Sequence, residues 1–79
     1  MKISNKDVDL LILASEKNGC ENARFIIINV VVPKAEKQNC CMEKIIESFK
    51  SEDRNTHKYK LYWAVETWVR KSISEGLIR

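Results

Sequence analysis

Seventy-nine residues suffice for one domain, 1–79, and a chain this short hides only about 60% of the surface its unfolded form exposes, so its margin of stability is thin. A hydrophobic content of 44% beside 32% charged residues excludes a disordered chain, and the net charge of +3 is small beside that of dedicated nucleic-acid binders. The longest apolar run, 25–32, contains Asn29 and falls far short of the roughly 20 residues that cross a bilayer.

The opening stretch Met1-Lys2-Ile3-Ser4-Asn5-Lys6-Asp7 has no apolar core of a secretory signal. It does supply a helix start, with Ser4 and Asn5 able to cap and Asp7 in the first turn. Val8, Leu11, Ile12 and Ser15 then share one face of a helix expected over 5–18, with Leu10, Leu13 and Ala14 beside it. Gly19 ends it, since the residue after a last turn often takes a left-handed conformation that glycine reaches without a Cβ clash.

Residues 25–32 hold six β-branched side chains out of eight and run into Pro33, a pattern that predicts a short buried strand. The competing assignment is an internal helix from about Asn22, because a continuous apolar run does not disclose its period. A lone strand leaves backbone groups unpaired on both edges, and the segments able to cover them are few: Lys2-Ile3, Leu77-Ile78, or the same segment of a second copy. A homodimer through residues 25–32 is therefore expected.

Lys34–Gln38 reads as a polar loop and Asn39 as the cap of a helix over 39–50, with Cys41, Met42, Ile45, Ile46 and Phe49 inward. Residues 51–55 form a charged turn, and a last helix spans about 56–75, stopped by Gly76. The expected architecture is mainly α, three or four helices with one β segment at about 25–32. Its core is placed at Leu11, Ile12, Ile28, Val30, Ile45, Phe49, Val65, Trp68 and Val69.

The whole net charge lies in 55–79, where five Lys/Arg face two Asp/Glu; residues 1–54 carry nine of each. At about 100° per residue, Leu61, Tyr62, Val65, Trp68, Val69 and Ile73 fall on one side of the last helix, and Tyr59, Lys60, Trp63, Thr67, Arg70 and Lys71 on the other. The first side reads as core. The second mixes cations suited to phosphates, a hydroxyl, and aromatics suited to stacking on bases or anchoring a protein surface. The purely structural alternative has Trp63 and Tyr59 packed beneath the first helix or the Lys34–Gln38 loop while the cations stay solvated.

With one histidine, His57, and no phosphate-binding glycine loop, the chain lacks the sets that hydrolases and nucleotide enzymes need, and no enzyme activity is expected. Cys20, Cys40, Cys41 and His57 add up to four zinc-type donors, but adjacent cysteines are neither a knuckle nor a good disulfide pair. Three cysteines cannot all pair within the chain. Reduced thiols, no metal, no cofactor and a cytoplasmic location are expected.

The order helix, strand, helix, helix followed by Gly76-Leu77-Ile78-Arg79 resembles the outline of a winged-helix module, an α+β alternative. That likeness covers the order of elements and these four residues; no wing hairpin follows, and the last helix is long for a recognition helix. A strand-helix-helix order over 25–75 is similar to ribbon-helix-helix dimers, but 25–32 lacks their alternation of polar side chains. The functional expectation is a small regulatory module that binds nucleic acid through Tyr59, Lys60, Trp63, Thr67, Arg70 and Lys71. The alternative is a protein-binding inhibitor or adaptor, of the kind carried by phages or other mobile elements, that sets the same face against a host protein.

Overall fold

The computed structural model describes residues 4–76. Helix α1 spans Asn5–Lys17. Helix α2 is built from three consecutive pieces, an α-helical turn at Ala23–Ile26, a π-helical turn at Ile27–Val31 and an α-helical end at Val32–Gln38. Helix α3, Met42–Glu47, runs into a 3₁₀ turn at Ser48–Ser51, and helix α4 spans His57–Ser74. Among the described residues there is no strand, and no helix is long and apolar enough to cross a membrane. The Cα radius of gyration, 11.6 Å, matches the value of about 12 Å that compact chains of this length adopt.

The ends of α1 and α4 form as their sequences dictate. Ser4 Oγ accepts from the Asp7 N–H at 3.2 Å, Thr56 Oγ1 accepts from the Tyr59 N–H at 3.2 Å, and Gly19 and Gly76 both lie at positive φ.

Segment 25–32, expected as a strand, is helical, and the competing assignment of a helix beginning next to Asn22 is the one found. The reason is backbone pairing. Six β-branched residues lower helix propensity by a few tenths of a kcal/mol each, whereas a strand without a neighbour leaves every one of its N–H and C=O groups to be satisfied elsewhere. The change of period also changes the core. Ile28 and Val30, expected inside, are exposed, while Ala23, Ile27, Val31 and Ala35 are fully buried.

That inward stripe repeats every four residues. Four residues of α-helix overshoot a full turn by about 40°, so in a regular helix the stripe would wind steadily off the core. A wider turn takes part of this drift back, and the Val32 N–H accordingly reaches the carbonyl of Ile27, five residues earlier. The π turn also sits just ahead of Pro33, whose ring in a regular helix would meet the carbonyl of Asn29.

Two further expectations are corrected nearby. Lys34–Gln38 continues α2 instead of forming a loop, and Asn39 ends that helix, in the left-handed region at φ 51°, instead of starting the next. Asparagine tolerates that conformation better than most residues. Helix α3 starts behind Cys41, which is half-buried, so Met42 takes the inward place with Ile45, Ile46 and Phe49.

The strand edge that argued for a dimer does not exist in a helix. Ile27 is inside, while Phe25 is 66% and Ile28 45% exposed. Lys2 and Ile3, expected as possible pairing partners of 25–32, and Leu77, Ile78 and Arg79 lie outside the described residues.

Candidate functional site: the outer face of the last helix

Helix α4 turns Leu61, Ala64, Val65, Trp68 and Ser72 into the core, most extensively against α1. Val69 and Tyr62 pack at the margin of that core, and Ile73, expected with them, is exposed. An inward face centred near Leu61 and Trp68 leaves the opposite face to solvent, and Thr67, Arg70 and Lys71 stand exposed there. Trp63 is 45% exposed and so does not pack beneath α1.

Three aromatic rings gather at the start of this face. The Tyr62 and Trp63 centroids are 5.3 Å apart, edge to face; Tyr59 lies 6.1 Å from Trp63 and 6.4 Å from Tyr62. Such spacings give mutual attraction beyond simple contact and hold the rings in place before anything binds. Tyr62, placed on the core side by sequence periodicity, belongs to this cluster. Its angular position, about 100° from the centre of the inward face, was the available signal.

The cations do not form one patch. Lys60 Nζ donates to the Gly19 carbonyl at 3.3 Å, over the end of α1. Arg70 pairs with Glu66 one turn back on its own helix. Thr67 Oγ1 donates to the Trp63 carbonyl at 2.9 Å. The helix is flanked by grooves of opposite charge. On the α1 side, a groove of about 180 Å³ carries Lys17 and Lys71 with Leu10, Leu13 and Trp68 in its walls. On the α3 side, a groove of about 250 Å³ sets Glu43, Glu47 and the Glu66–Arg70 pair around Tyr62, Val65 and Val69, with carboxylates in excess. Sequence reasoning missed this second flank because two of its carboxylates come from another helix.

A separate constellation joins Cys20, Asn22 and His57. Cys20 Sγ lies 3.6 Å from His57 Nδ1 and 3.8 Å from the His57 carbonyl oxygen, and Asn22 Nδ2 is 3.3 Å from His57 Nε2. Thiol, imidazole and amide in this order invite comparison with a nucleophile and its base, but Cys20 is wholly buried. Burial pushes its thiol up, against the smaller opposing pull of the Asn22 backbone N–H and Lys60, and a nucleophile needs thiolate and access. The arrangement is a clasp between the α1–α2 loop and the first residue of α4.

Cys40 and Cys41 are half-buried free thiols at the α2–α3 junction. Among the described residues no group of three or more His, Cys, Asp or Glu is placed to hold a metal. Comparison of the chain with family models, curated proteins and solved structures gives no match.

Proposed function

We propose that the chain is a small non-enzymatic module that binds a protein partner through the outer face of α4. The observation that carries this reading is the Tyr59–Tyr62–Trp63 cluster, with Trp63 at 45% exposure in its midst. Tyrosine and tryptophan bring large apolar area at low entropy cost, and they dominate the binding energy of protein interfaces.

Nucleic-acid binding by the same residues has less support. Of its three cations, Lys60 is engaged with Gly19 and Arg70 with Glu66. A phosphate backbone laid across α4 would meet Glu43 and Glu47 on one flank, beside the Glu66–Arg70 pair. Like charge there opposes the counterion release that drives such binding.

Affinity capture from the source cell, with and without nuclease, tests the choice. The expected catch is a protein that survives nuclease, whose affinity changes little with salt. A catch lost to nuclease, with log affinity falling about 0.9 per phosphate contact as log salt rises, would establish the nucleic-acid reading instead.

A further inference from the structure

The groove between α1 and α4 joins an apolar wall to a basic rim. Trp68 forms part of its wall, and the indole Nε1, closed off from solvent, has no hydrogen-bond partner among the described residues. The surrounding wall is apolar: Leu10 and Ala14 are half-buried, and Leu13, a large side chain on the same helix, is 52% exposed. Lys17 and Lys71 stand at the rim, and neither has an ion-pair partner among the described residues.

We propose that this groove seats an apolar side chain of the protein partner, and that Asp or Glu residues flanking that side chain in the partner pair with Lys17 and Lys71. Size decides against a free small molecule. About 180 Å³ is below the roughly 300–1,000 Å³ of small-molecule sites and matches an inserted side chain instead. Charge decides the chemistry of the flanks, since the two ammonium groups at this rim attract carboxylates. The carboxylates of the opposite groove fix the polarity, so the partner's acidic side lies over α1 and not over α3.

The proposal rests on the protein-binding reading of α4 but names a second contact, beside the aromatic cluster. The test titrates ¹⁵N-labelled full-length protein with three short synthetic peptides that share one pattern of Leu and Phe and carry Glu, Gln or Lys at the flanks. A short DNA duplex is the fourth probe. The Glu peptide should bind at least about tenfold more tightly than the Lys peptide, a difference of one decade in Kd. It should shift the amides of Leu13, Ala14, Lys17 and Lys71 and the indole N–H of Trp68. The double variant K17E/K71E should reverse the order of the peptides. Trp63→Ala should leave the groove shifts in place, which separates failure of the groove from failure of the aromatic cluster. Equal binding of the three peptides, shifts elsewhere, no binding of the Glu peptide at about 1 mM, or the same shifts produced by the duplex would each overturn the proposal.

Discussion

Cys20 Sγ and His57 Nδ1 are 3.6 Å apart across 37 residues of chain, which fixes the loop after α1 to the start of α4. The contact shares its surroundings with Lys60, whose ammonium group donates to the Gly19 carbonyl next door. The start of α4, where the aromatic cluster sits, is thus held from behind by a buried thiol, an imidazole and a lysine.

The thiol gives this junction a pH dependence. Burial raises its pKa in the folded protein above the ordinary value of 9.0, while the unfolded chain ionises near that value. The folded state then keeps a proton that the unfolded state releases. The stabilisation is fully present below about pH 9 and is lost as pH rises through the folded-state pKa, by at most about 1.4 kcal/mol per pH unit for one proton. Urea unfolding of wild type and Cys20→Ala between pH 7 and pH 10 checks this. The variant should have the shallower alkaline limb, and equal limbs would refute the account.

Trp68 separates size from polarity. At 7% exposure it is core, and Trp68→Ala should cost about 3–5 kcal/mol, close to the whole stability of so small a domain. Trp68→Phe removes the orphan Nε1 donor, and an unsatisfied buried donor costs about 1–3 kcal/mol. That relief should offset most of the lost ring area and leave the melting temperature close to wild type. A Phe variant as unstable as the Ala variant would mean that the indole N–H finds a partner in solution.

Adjacent isoleucines test the helical phase of 25–32. Ile27 is fully buried and Ile28 is 45% exposed. Ile27→Ala should cost about 2–5 kcal/mol, whereas Ile28→Ala should stay within about 0.5 kcal/mol, as surface changes do. Equal losses in thermal melts would contradict the helical assignment.

Removing Trp63 should leave the fold intact, because a side chain half in water supports little of the core. Partner affinity measured by calorimetry should fall by about 2 kcal/mol or more, the loss typical of an aromatic anchor. Replacing Lys60, Arg70 and Lys71 together by Gln should change affinity less than Trp63→Ala does; the opposite ranking, with a flattened salt slope, would favour phosphate contacts.

Helices α1 and α4 were legible in the sequence because their instructions are local. Ser4 and Thr56 cap, Gly19 and Gly76 terminate, and Leu11, Ile12, Val65 and Trp68 recur at helical spacing, all within a few residues of one another. The outward placement of Trp63 follows from the same periodicity. Residues 25–32 were different, since an unbroken apolar run has no period to read. Whether Ile27 or Ile28 turned inward was decided by the absence, among the described residues, of a strand to pair with and by a π turn that keeps Ala23, Ile27, Val31 and Ala35 on one line. Charge shows the same division. The surplus of cations in 55–79 can be read from residue order alone, but only tertiary packing could bring Glu43 and Glu47 to one flank of α4 and Lys17 to the other. Coulombic attraction and repulsion depend on distance in space, and helix packing sets those distances between residues far apart in the chain.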